Sequence, residues 1–323
     1  MNRHIILAIS CALFLSAACN DIQQTDLRPG EIAFSVPGET KGVVEGSNLY
    51  DAAEGTWRNI LVTAYLKPAS GQLFSERPYF TAETFSRSGE QRWTHDPAIY
   101  WPVGGVLDMI ALSSTEPLLE PDVIWTTGNT AAGVRVAVDR HHTQDDIMYG
   151  ALFEAGSSTT TTTLPMQHSQ ALIEVSCRRI SGVNARLDSV ILSSVFLEGD
   201  LEIMNNVGAP TIDWNFRRFR AYDVLVDDPE GIYGNNISTS ARTVRMLIPE
   251  QQKTSITVIY TVGTSRRVHK ETLAHENWLA GKKYHYELNF SPVASSAAAP
   301  MGQTIRTKGG DAPVMLTETV LPM

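Results

Sequence analysis

Cysteine is nearly absent from this chain, with three in 323 residues, at Cys11, Cys19 and Cys177. Cys11 lies within an N-terminal leader, which leaves Cys177 as the one cysteine beyond Cys19. A disulfide framework and a cysteine-built metal site are thereby excluded. Cys177 ends the run Ala171-Leu172-Ile173-Glu174-Val175-Ser176-Cys177 and reads as a small buried apolar residue in a strand. Basic charge is also in deficit: 26 Lys and Arg stand against 35 Asp and Glu, for a net charge of −9. That balance lacks the basic footprint nucleic acid requires. Beyond Ala18 no apolar run is long enough to span a bilayer as a helix.

Catalytic signatures are missing too. There is no Gly-x-Ser-x-Gly elbow, phosphate loop or dinucleotide fingerprint. His275-Glu276 opens like a zincin helix, but Leu279 stands where the second His ligand belongs. His141-His142 with Asp145 and Asp146 form a polar cluster that reads as solvated loop, because adjacent residues on a strand point to opposite faces. No enzyme activity, cofactor or metal is expected. Helical periodicity is scarce, and the one stretch that suggests a helix is Thr272 to Ala280.

What is present begins with the leader. Arg3 and His4 precede an almost wholly apolar stretch from Ile5 to Ala18, and the segment closes on Leu15-Ser16-Ala17-Ala18-Cys19. This predicts a signal peptide over 1–18 and a lipid-carrying Cys19. Two or more acyl chains anchor stably, since each buried CH₂ contributes about 0.8 kcal/mol.

The body alternates apolar and polar residues with period two. Glu31 to Val36, Asn59 to Tyr65, Leu107 to Leu112, Val134 to Val138 and Ile147 to Phe153 predict strands in the first half. Ala171 to Cys177, Leu187 to Leu197, Leu201 to Met204, Thr243 to Ile248, Ser255 to Val262, Val268 to Leu273 and Tyr284 to Phe290 predict them in the second. Each half thus offers about seven short strands, the pattern of an antiparallel β-sandwich. The expected division is a first sandwich over 19–156, a linker over 157–165 around the threonine run, a second sandwich over 166–290, and a tail over 291–323. The tail opens with small residues and Pro292, then turns apolar from Ala312 to Leu321. A lone strand is unstable in water, so this segment must pair with its own body or with another subunit.

Five stretches, in order, resemble the fimbrillins of Bacteroidales, the type V pilins. They are Tyr100-Trp101-Pro102 with Val103 to Ala111, Asp145-Asp146-Ile147-Met148-Tyr149-Gly150, Gln167-His168 with Ser169 to Val175, Met246-Leu247-Ile248-Pro249-Glu250-Gln251, and Trp278-Leu279-Ala280-Gly281-Lys282-Lys283-Tyr284-His285-Tyr286. Gly150 departs from the usual alanine and Glu250 intrudes before Gln251. The residues themselves read as core. The resemblance implies an all-β fold of two transthyretin-like antiparallel sandwiches in tandem. It further implies an outer-membrane lipoprotein precursor that matures at the cell surface into fimbriae. A trypsin-like protease would cut after Lys41, or as second choice after Arg28, and only the former releases the first strand with Ile32, Phe34 and Val36. The groove would accept a donor strand carrying Val314, Leu316 and Val320 from another pilin subunit, by β-augmentation. Adhesion would bring a host or bacterial surface ligand. The alternative reading is a monomeric surface lipoprotein that binds a glycan or a host protein.

Overall fold

The computed structural model describes residues 30–36, 59–68, 78–88, 92–103, 105–114, 123–127, 132–138, 145–157, 161–179, 184–206, 209–217, 219–274, 276–290 and 314–322. Every regular element among them is a strand. The first ten are β1 (Ala33–Ser35), β2 (Ile60–Pro68), β3 (Pro78–Arg87), β4 (Trp93–Thr94), β5 (Gly105–Ser113), β6 (Val123–Thr127), β7 (Ala132–Val138), β8 (Met148–Ala155), β9 (Thr162–Thr163) and β10 (Met166–His168). The next six are β11 (Gln170–Arg179), β12 (Ala185–Val195), β13 (Gly199–Asn206), β14 (Ala209–Asn215), β15 (Tyr222–Leu225) and β16 (Arg242–Pro249). The last six are β17 (Gln251–Gln252), β18 (Ser255–Val262), β19 (Ser265–Thr272), β20 (Asn277–Trp278), β21 (Lys282–Phe290) and β22 (Val314–Pro322).

The first sheet runs β10-β8-β5-β2-β3-β4-β1-β9 and folds back over one apolar core. In β5, Leu107, Met109 and Ala111 face that core, and the intervening Ile110 and Leu112 face a second one. A strand buried on both faces reads as a mostly apolar run, and β5 has that character apart from the buried Asp108. The second core is closed by a sheet ordered β14-β13-β7-β6. It joins hairpins from distant parts of the chain: β13 pairs with β7, opposing Leu201 to Val136 and Ile203 to Val134. The third core lies between β16-β11-β21-β22 and β15-β12-β18-β19.

Three of the expectations about elements and their pairing need correction. Thr162–Thr163, placed in a linker, form β9, and Leu164 is fully buried in the first core. β-branched threonines suit a strand, and the ladder needs only their backbone. The pairing is not wholly antiparallel either, since β1 runs parallel to β9 and β11 parallel to β21. No helix forms among the described residues of 272–280: Asn277–Trp278 instead pair with Gln251–Gln252, and Trp278 is fully buried. Burial of that indole outweighs a weak local helical pattern.

Among the described residues, three bulged positions combine a register shift with a positive φ. Ala82, Glu154 and Ser194 have φ of 53°, 50° and 55°, which is strained for residues with a Cβ. Each lies beside a register shift, and each amide is caught by a side chain on a neighbouring strand. The Ala82 amide donates to Thr63 Oγ1 at 2.8 Å, the Glu154 amide to Asp108 Oδ1 at 2.7 Å, and the Ser194 amide to Asp223 Oδ1 at 2.9 Å.

Candidate assembly site

The first strand among the described residues is a core element. Ile32 and Phe34 are fully buried and Val36 nearly so, all in the first core, because a period-two pattern places all three on one face. Phe34 meets Phe85 edge to face, with centroids 4.9 Å apart. The Tyr100-Trp101 motif holds the strand's start: the Ile32 amide donates to the Ile99 carbonyl, the Trp101 amide to the Gly30 carbonyl, and Glu31 bridges Tyr100. On the other edge the Leu164 amide donates to the Ser35 carbonyl at 2.8 Å. The lateral pairing is short on both sides, at Trp93–Thr94 and Thr162–Thr163. The apolar faces hold β1 more than its ladder does. Its burial is worth about 1.5–3 kcal/mol for each of the three side chains.

At the other end of the chain, β22 lies along the outer edge of β21, with Phe290 opposite Val314, Leu288 opposite Leu316 and Tyr284 opposite Val320. Leu316 is buried in the third core, whereas Val320 is half exposed and only the backbone pairing of Val314 is described. The tail therefore pairs in cis. Without β22, β21 would be the edge of its sheet. Its side chains alternate, with Tyr284, Tyr286 and Leu288 inward and His285 and Glu287 outward. Outside, His285 Nδ1 and Lys283 Nζ reach Glu174 Oε1 at 2.7 and 2.8 Å. Burial pushes the Glu174 carboxyl up, but hydrogen bonds from Lys283 and His285 outweigh it and hold the group below its ordinary value.

The remaining motif residues are structural. Gln251 substitutes for a ladder partner: its Oε1 accepts from the Phe196 amide and its Nε2 donates to the Phe196 carbonyl, both at 2.8 Å. Glu250 Oε2 accepts from the Ala280 amide at 3.0 Å. Asp145 and Asp146, expected in a solvated loop, are buried instead, and Asp146 Oδ1 lies 2.7 Å from Nδ1 of His168, also buried. Burial lifts the Cys177 thiol to about 12, which makes it inert. Cys19, Arg28, Lys41, His141, His142 and His275 lie outside the described residues. Among the described residues no three His, Cys, Asp or Glu are grouped to hold a metal, and no helix is long and apolar enough to cross a membrane.

Among the described residues the molecule is all-β, built of sandwiched sheets, and its buried polar groups hold bulges and strand ends. The family model described as fimbrillin-like matches residues 52–306, and the chain belongs to that non-enzymatic family. Among solved structures, a candidate cell adhesion protein from Bacteroides uniformis aligns at 13% identity with a TM-score of 0.50, covering 91% of this chain and 98% of that one. Another from Bacteroides ovatus aligns at 11% identity with a TM-score of 0.51, covering 91% and 97%. At such identities the likeness is one of fold. No curated protein sequence matches the chain.

Proposed function

We propose that the chain is a structural subunit of cell-surface fimbriae that serves adhesion. In this reading it is made as an outer-membrane precursor lipidated on Cys19. A trypsin-like protease cuts after Lys41, the first strand leaves, and the tail of another subunit takes the vacated groove.

The carrying observation is the burial of Ile32, Phe34 and Val36 in a strand that precedes Lys41 in the chain. A cut there separates three core side chains from the body covalently. Their combined burial, roughly 5–9 kcal/mol by area, is of the order of a whole domain's stability, about 5–15 kcal/mol. The opened first core would need an apolar strand in return. The tail supports the second half of the reading. Phe290 and Val314 are paired neighbours that a hairpin of about two to five residues could join. The chain spends residues 291–313 on that step instead. Loop-closure entropy rises slowly with length, so such a connection scarcely penalises cis pairing while giving the tail reach.

Deletion from Gly310 onward tests the donor role. The truncated chain is expected to fold, with lower stability, and to form no fibres after protease treatment. Normal fibres from the truncated chain would refute it. An intact chain that stays monomeric under all maturation conditions would favour the anchored binding protein instead.

A further inference from the structure

Lys253 lies between β17 and β18, and its side chain is only 1% exposed. Its Nζ is 2.5 Å from Glu318 Oε1 on the tail and 4.8 Å from the centre of the Tyr284 ring. Its other acidic partner, Glu276 at 3.4 Å, has a side chain that is 75% exposed. Tyr286 Oη donates to Glu318 Oε1 at 3.2 Å, and Trp278 Nε1 donates to Tyr286 Oη at 2.9 Å. A buried ammonium thus takes its close counter-charge from the last strand of the chain, within a chain of hydrogen bonds rooted in the third core.

We propose that Lys253 makes the edge of β21 selective for one strand in one register. The selected strand carries a carboxylate opposite Tyr286 and an apolar residue opposite Leu288. The tail meets this requirement through Glu318 and Leu316. The apolar pattern of the tail is a poor guide to register, since Leu316, Val320 and Leu321 do not alternate strictly. A one-residue slip turns Glu318 outward and brings its threonine neighbours in. A two-residue slip sets Leu316 or Val320 against Tyr286, beside an ammonium that has lost its close carboxylate. Removing one partner from a buried ion pair is strongly destabilising, whereas replacing both with apolar groups is often neutral. The lock therefore contributes specificity more than stability, as a buried polar residue does in a coiled coil. It concerns the tail within a single chain and stands apart from the assembly reading.

The test uses the full chain. Glu318→Gln is expected to speed hydrogen exchange of the β22 amides at least tenfold, with protection in β11 and β18 unchanged. The double variant Lys253→Met/Glu318→Leu is expected to fold with stability near that of the parent. Its tail is expected to populate more than one register, read by NMR as contacts from position 318 to Leu288 or Tyr284 in addition to the native Leu316–Leu288 contact. Charge exchange, Lys253→Glu/Glu318→Lys, is expected to return exchange most of the way towards the parent rate. A double apolar variant with the native contacts alone, or Glu318→Gln with unchanged exchange, would overturn the proposal.

Discussion

At Gly150 a single absent carbon decides the packing. A Cβ there would lie 2.7 Å from both the Pro165 carbonyl oxygen and Met166 Sδ. The sulfur can move, but the carbonyl belongs to the chain entering β10. The alanine usual in the fimbrillin motif does not fit this neighbourhood. Gly150→Ala is expected to destabilise the protein by about 1–3 kcal/mol, measured by urea unfolding. His269 on β19 carries a pH dependence. It is buried opposite Val258, flanked on its own face by Arg267 and Glu271, and neither ring nitrogen has a hydrogen-bond partner among the described residues. Burial holds it below its ordinary value of 6.5. The folded state then binds a proton less readily than the unfolded state. Stability from this group is full above about 6.5 and falls as pH drops through that value towards the lower folded one. Glu271, raised by burial, works with the opposite sign. The difference between the parent and His269→Gln isolates the histidine. The parent is expected to lose more stability than the variant between pH 7 and 5 in parallel denaturant titrations.

Among the elements, the bulges offer a sharp test of strand geometry. Thr63 is fully buried and its hydroxyl takes the amide of the strained Ala82. Thr63→Val keeps the shape and leaves that amide unsatisfied. A loss of about 1–3 kcal/mol is expected by chemical denaturation, and an unchanged midpoint would show that the amide finds another partner. The elements also show what the sequence could reveal. β11, β18 and β21 were legible because each alternates β-branched or aromatic residues cleanly, and β5 because it is apolar on both faces. The runs at β3, β6, β14 and β15 were not recognised. Apolar side chains on the outer face, Tyr79 in β3, Ile124 in β6 and Leu225 in β15, blur the apolar alternation in the sequence of these strands. β9 and β20 are too short for any period, and only their partners, Phe34–Ser35 and Gln251–Gln252, define them.

At the scale of the whole molecule, the pairing of β7 with β13 was invisible in the sequence. Both segments alternate, but nothing local says that residues 132–138 will adopt residues 199–205 as ladder partners. The choice follows from the second face of β5 and β2, which Val134, Val136, Leu201 and Ile203 cover together. The two ends of the chain were more legible, since Ile32, Phe34 and Val36 and the late apolar run stand out beside polar or small-residue neighbours. What no sequence pattern held was the cis docking of the tail, which is set by β21 and by Lys253. Phe34→Ala belongs to this scale, because it weakens the contact between the first strand and the rest of the body. It is expected to cost about 3–5 kcal/mol in the intact chain and, if the proposed cut releases the strand, nothing in the product that lacks it, as read by thermal unfolding of each.

The most direct measurement is mild trypsin treatment of the purified precursor, followed by N-terminal sequencing and electron microscopy of the product. The account predicts a new terminus at Gly42, loss of the segment bearing Ile32, Phe34 and Val36, and growth of fibres. A body cut after Lys41 that keeps its first strand bound and remains monomeric would contradict it.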